Sequence, residues 1–184
     1  MMKGRAMNYR QTITLIALCA AVSACNTNDT SMMDGAITLK DNVVTLHVDG
    51  KPDALIDAGG ALQIDGKPVA VTSSERGLLM LYVQSVLDVH QTGLDMGKIG
   101  AGIGAKELKD SLNGKSKAEK DQDAEAGTAQ IKTLAGKMCQ DKASMKSVQD
   151  QLAAQLPAFK PYGQIISVSD VNECKEDTNE KSTD

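Results

Sequence analysis

The sequence predicts an α+β domain: an antiparallel β-meander, helices packed on one face of it, and a returning C-terminal strand. Two observations carry that prediction. Short β-prone runs separated by Asp-Gly and Gly-Gly pairs fill residues 36–71, and from Leu78 onward apolar residues recur at helical spacing. A sheet with one apolar face followed by amphipathic helices closes its core by laying the helices on that face.

The β-prone runs are residues 36–39, 43–48, 54–57, and 62–64 with 69–71, punctuated by Asp49-Gly50, Gly59-Gly60 and Asp65-Gly66. Val44, Leu46 and Val48 alternate with Val43, Thr45 and His47, which gives one fully apolar face. Thr72-Ser73-Ser74-Glu75 has capping-box spacing, so a helix is expected to open at Ser73 and to present Leu78, Leu79, Tyr82, Val83, Val86 and Val89 to the sheet. Asn113-Gly114 then breaks the chain. A second helical run carries Ile131, Leu134 and Met138 before Cys139, and a third carries Met145, Val148, Leu152 and Leu156 before Pro157. Residues 164–169 return to β character, and the charged segment 176–184 reads as disordered.

The N-terminus says where such a domain would work. Lys3, Arg5 and Arg10 precede an apolar stretch from about Thr12 to Val22, and Val22-Ser23-Ala24-Cys25 closes it with small residues ahead of a cysteine. This resembles a bacterial lipobox, which implies a signal peptide over residues 1–24 and a diacylated Cys25 as the first mature residue. The stretch is too short for a transmembrane span. Residues 25–35 then read as the lipidated cysteine and a flexible tether, with the domain proper at 36–175. The expected address is the periplasmic side of the cell envelope. Asn26, where an aspartate is absent, points to the outer membrane more than the inner.

The formal net charge of −4 becomes −7 once the three basic residues of the signal are removed, because that segment holds no acid. Arg76 is then the sole arginine, and Tyr82, Phe159 and Tyr162 are the sole aromatics. Such a chain builds neither a guanidinium clamp nor a stacking platform, so nucleic acid is excluded as a partner. Cys19 leaves with the signal and Cys25 goes to lipid, so Cys139 and Cys174 remain to form a disulfide in an oxidising compartment. Two cysteines without a neighbouring histidine make no zinc site, and no cofactor is expected.

Three segments were candidates for chemistry. Gly93, Gly97, Ala101 and Ala105 follow a small-xxx-small spacing, which suits a close helix crossing or flexible joint. A membrane-inserting or oligomerising hairpin is the alternative, but the apolar length is short and Asp95 and Lys98 interrupt it. His47 reads as a solvent-facing strand residue and His90 as a partly buried one at the end of the helix stripe. Asp88 lies two positions from His90, too close in sequence to face it on a helix. The run Asp121-Gln122-Asp123-Ala124-Glu125 fails as a calcium loop, with Gly127 at the seventh position and Lys132 at the twelfth.

Finally, Asp49-Gly50-Lys51-Pro52-Asp53-Ala54-Leu55-Ile56 and Leu62-Gln63-Ile64-Asp65-Gly66-Lys67-Pro68-Val69, leading into the helix start at residues 72–83, resemble the YggN-like family of bacterial envelope proteins over about residues 36–175. That resemblance implies no catalytic residue. The expectation is a lipid-anchored, non-catalytic protein-binding module. Its alternatives are an immunity lipoprotein that neutralises a secreted antibacterial toxin in the periplasm, and an envelope hydrolase using His47 or His90, for which no second positioned acid-base partner is visible.

Overall fold

A computed structural model describes residues 29–114 and 116–180, with the backbone alone for 117–123 and 177–180. Residues 1–28, with the expected signal peptide and Cys25, lie outside the described residues, as do 181–184.

The expected antiparallel meander is present, as six strands in chain order: β1 Thr30–Met32, β2 Ile37–Lys40, β3 Val43–Leu46, β4 Ala54–Ile56, β5 Leu62–Ile64 and β6 Lys67–Val69. Asp41 and Asn42 both take positive φ, 49° and 61°, which closes the two-residue turn between Lys40 and Val43. Asp65 and Gly66 do the same between Ile64 and Lys67, at 55° and 68°. Pro68 stands opposite Gln63 on the last strand, at the sheet's free edge. The sheet begins earlier than expected: Thr30–Met32 pairs with Ile37–Leu39, so residues 30–35 are part of the fold and not tether. Thr30-Ser31-Met32 has no alternation to announce a strand, and it is held by its partner strand and by a Thr30 Oγ1 to His90 Nδ1 contact of 2.7 Å.

Helix α1, Ser73–Leu112, opens as the sequence predicts. Thr72 accepts from the Glu75 amide through its hydroxyl at 3.2 Å, and Glu75 accepts from the Thr72 amide at 2.6 Å. Its Leu79, Tyr82, Val83, Val86 and Val89 are buried against Ile37, Leu39, Val44, Leu46, Ala54, Ile56 and Leu62 of the sheet. Each such side chain contributes about 1.5–3 kcal/mol of transfer free energy, so this layer contact is the largest stabilising term in the fold. Gly60, at φ 72°, fits beneath the start of α1, where a Cβ would fall 2.5 Å from the Arg76 carbonyl oxygen.

Past Thr92 the helix leaves the sheet and runs on against α2, Lys117–Gln155, as an antiparallel arm. The two helical runs expected on either side of Cys139 are therefore one helix. The apolar repeat passes from Met138 to Met145 in phase, with Asp141 at its intermediate position. In the fold Asp141 accepts from the buried Thr92 hydroxyl at 3.3 Å and pairs with Lys137, so the polar group is satisfied and the helix continues. The row Gly93, Gly97, Ala101 and Ala105 lies exposed; a Cβ at Gly93 would come within 3.8 Å of Met138 on α2, and one at Gly97 would meet no atom within 4 Å. The crossing is made by Gly127, where a Cβ would stand 2.6 Å from Ile103 Cδ1.

The returning strand expected at 164–169 is absent. A 3₁₀ segment, Pro157–Tyr162, leads into a turn whose backbone is bonded by the side chain of Gln149: the amide donates to the carbonyls of Gly163 (3.0 Å) and Ile166 (2.9 Å), and its oxygen accepts from the Ile166 amide (3.0 Å). With those groups satisfied the segment needs no sheet partner. Helix α3, Val168–Glu180, follows, so the first five residues of the segment expected to be disordered are helical. A second capping box starts it. Ser167 accepts from the Asp170 amide, and the Asp170 carboxylate accepts from the Ser167 amide and hydroxyl at 2.7 Å each. Those bonds hold the Asp170 carboxyl below its usual value.

Cys139 and Cys174 form the expected disulfide, with Cα atoms 5.5 Å apart, and fasten α3 to the middle of α2. All three aromatic rings of the described residues share the core: Tyr82 meets Phe159 edge-on at 5.8 Å, and Phe159 meets Tyr162 at 5.9 Å. The Tyr82 hydroxyl is fully buried with no protein hydrogen-bond partner, and burial pushes its pKa up.

Two stability predictions follow from the core. Replacing Cys139 and Cys174 together by Ala should cost about 3–4 kcal/mol, from the entropy of the loop that the bridge closes. An unchanged denaturation midpoint would show that the bridge constrains nothing. Conversely, Tyr82→Phe should leave stability unchanged or raise it by up to about 3 kcal/mol, because it removes an unsatisfied hydroxyl without changing ring volume. A clear loss of stability on calorimetry would show that the hydroxyl is satisfied by buried water.

Candidate functional site

A concave surface lies where the first turns of α1 meet the end of α2. Leu78, Leu81 and Leu87 line it from α1, with Gln151 and Gln155 from α2 and Ala58 from the turn after β4. Its volume is about 660 Å³, and none of its lining side chains is charged. Two of them are large and exposed: Met80 at 47% and Leu81 at 56%. Gly77 leaves the floor open, since a Cβ there would meet no atom within 4 Å. Glutamines around an apolar floor can grip a peptide backbone while the floor takes apolar side chains.

A second arrangement surrounds His47. His47 Nδ1 lies 2.9 Å from Asp53 Oδ1, and His47 Nε2 lies 3.2 Å from Thr38 Oγ1. A carboxylate only accepts, so in the neutral ring Nδ1 carries the proton and Nε2 accepts from the threonine hydroxyl. This is the positioned partner that the sequence did not disclose. His47 and Asp53 are six residues apart, and they become neighbours only because Leu46 pairs with Ala54 across β3 and β4. Thr38 sits between Ser31 and Thr45 in the ladder, and the His47–Asp53 pair is well exposed to solvent. The chain of three groups thus ties β2 and β3 to the start of β4.

The ring also borders a cleft of about 560 Å³ between the Met33-Asp34-Gly35 turn and Pro161, Gln164 and Ile165. Nearby, the Tyr162 hydroxyl donates to the Pro52 carbonyl. Burial, then the Asp53 charge, pushes that hydroxyl's pKa up.

The other candidates fall elsewhere. His90 is half-buried in mid-helix, where it bonds Thr30, while Asp88 accepts from Gln84 and is not brought to it. Cys139 and Cys174 are occupied in their bridge. Among the described residues no three or more His, Cys, Asp or Glu side chains are grouped to hold a metal ion. The neutral groove was missed in the sequence because Met80 and Leu81 fall outside the apolar stripe from Leu78 to Val89, and two apolar residues off that stripe do not show that α2 will form a cleft beside them. Gly77, in the second turn of α1, was the available signal.

The His47 geometry makes a spectroscopic prediction. ¹⁵N NMR of the neutral ring should find the proton on Nδ1, and Asp53→Asn should shift the population towards Nε2–H. An Nε2–H tautomer in the unmodified protein would contradict the assignment.

Compared with family models, curated proteins and solved structures, the chain finds no match in any of the three.

Proposed function

We propose that this chain is a lipid-anchored, periplasm-facing binding module that takes an apolar segment of a partner protein into the groove between α1 and α2. The observation that carries this reading is the uncharged groove with Met80 and Leu81 exposed at its edge and Gly77 beneath it. Exposed apolar surface rimmed by polar residues is the usual mark of a protein-binding site. The fitting occupant is an amphipathic helix or apolar peptide whose uncharged side faces the leucines, because a charge placed there would lose water without gaining a counterion. The lipobox-like Val22-Ser23-Ala24-Cys25 supports the anchor and the compartment. The Cys139–Cys174 bridge is compatible with that compartment.

A photo-crosslinking residue at Leu81 should yield a discrete heavier adduct in living cells, and one at Gln63 on the exposed sheet should not. Gly77→Leu, which fills the floor, should abolish the adduct. Leu81→Arg should weaken partner binding at least tenfold, about 1.4 kcal/mol. Equal labelling from Leu81 and Gln63, or none from Leu81, would reject the groove as the binding site. Separately, fatty-acid labelling should mark the wild type and fail with Cys25→Ala, which should also leave the membrane fraction. A wild type that takes up no label would reject the anchor.

A further inference from the structure

The outer face of the sheet, opposite the one that α1 covers, brings a hydroxyl, an imidazole and a carboxylate together. Ser31 pairs with Thr38, and Thr38 with Thr45, so three hydroxyl residues stand in one row across β1, β2 and β3. Their strand neighbours Ile37, Leu39, Val44 and Leu46 are buried on the inner face, which turns the row outward. His47 lies two residues past Thr45 and shares its face. The His47 amide donates to the Ala36 carbonyl at 2.8 Å, which continues the pairing of β2 and β3 and fixes the root of the ring. Asp53 arrives through the pairing of Leu46 with Ala54, and the Tyr162 hydroxyl holds the Pro52 carbonyl just ahead of it.

The hydrogen bonds among these groups run in one direction. Thr38 Oγ1 donates to His47 Nε2 at 3.2 Å, and His47 Nδ1 donates to Asp53 Oδ1 at 2.9 Å. In that order the ring can take the hydroxyl proton, while the carboxylate fixes the tautomer and stabilises the imidazolium that forms. The His47 and Asp53 side chains are 39% and 54% exposed, so a substrate reaches them from solvent.

We propose that Thr38 is the nucleophile and His47 the general base of an esterase site, with Asp53 as its positioning residue. The site depends on neither the groove between α1 and α2 nor the anchor at Cys25. Its substrate class follows from the cleft that the His47 ring borders. Met33, Val48 and Ile165 give that cleft apolar walls, and its charged lining residues, Asp34 and Asp49, are both acidic. An uncharged carboxylic ester fits there, and one bearing a carboxylate or phosphate is repelled. Thr38 Oγ1 adds to the ester carbonyl carbon as its proton passes to His47 Nε2. The carbonyl oxygen gains charge beside Ser31 and Thr45, whose Cβ atoms flank that of Thr38 at the cross-strand spacing of about 4.5–5.5 Å. The bond from carbon to the alcohol oxygen then breaks, and the alcohol leaves with the proton from Nε2. Water next gives a proton to Nε2 and its oxygen to the acyl carbon. The bond from that carbon to Thr38 breaks, and the threonine oxygen takes the proton back. Ester and water become acid and alcohol.

The test follows nitrophenolate release from 4-nitrophenyl butyrate by the purified mature chain, with free imidazole at equal concentration as reference. The protein should exceed imidazole by about a hundredfold or more. Thr38→Val and His47→Gln should remove that excess, and Thr38→Ser, which keeps the hydroxyl, should retain it. Asp53→Asn should lower kcat at least tenfold with KM unchanged, a split that a merely structural role would not produce. A fluorophosphonate should attach to Thr38, read by peptide mass, and unfolding midpoints confirm that each variant is folded. Turnover no faster than imidazole overturns the proposal. So does equal turnover by Thr38→Val, which would mean that the exposed ring acts alone on an activated ester. A fluorophosphonate adduct elsewhere, with Thr38 unmodified, overturns it as well.

Discussion

Strands of three or four residues cannot hold a sheet together by their ladder bonds alone, and everything in this fold depends on one helix covering their apolar face. The first five turns of α1 touch the inner face from β2 to β5, so the register of every hairpin is enforced from outside the sheet. Slipping any strand by one residue would turn Val44 and Leu46, or Ala54 and Ile56, towards water. The capping box at Thr72 and the close approach at Gly60 place the start of that helix, and from there its stripe of apolar residues selects the orientation.

The C-terminal third is organised around a polar group and not an apolar stripe. Gln149 is fully buried, and it spends both ends of its side chain on the backbone at Gly163 and Ile166. This holds the 3₁₀ segment in place, which in turn brings Phe159 and Tyr162 against Tyr82. The disulfide then secures α3 beyond it. The polar set Thr92, Asp141 and Lys137 marks the opposite boundary, where the covered part of the helix pair ends and the arm begins.

Features set by neighbouring residues were legible in the sequence: the paired turn residues, the capping box at Thr72 and the stripe from Leu79 to Val89. Ser167-Val168-Ser169-Asp170 carried the same kind of signal for α3, but a β-like reading of 164–169 obscured it. Features set by distant partners were not legible. Residues 164–169 look like a strand until Gln149 is seen to satisfy their backbone. Asp141 gains Thr92 as a partner only when α1 and α2 pack, and His47 looks isolated until the register places Asp53 beside it. The groove falls between these cases: its residues are helical and apolar as expected, and only the packing of α2 decides that Met80 and Leu81 stay outside the core.

Pro68 on β6 has a consequence for how copies of this chain can meet. A proline facing outward from the last strand offers no N–H to an incoming chain. Sheet-to-sheet polymerisation through that border is therefore closed. Copies of this chain can crowd against one another there without templating fibrils.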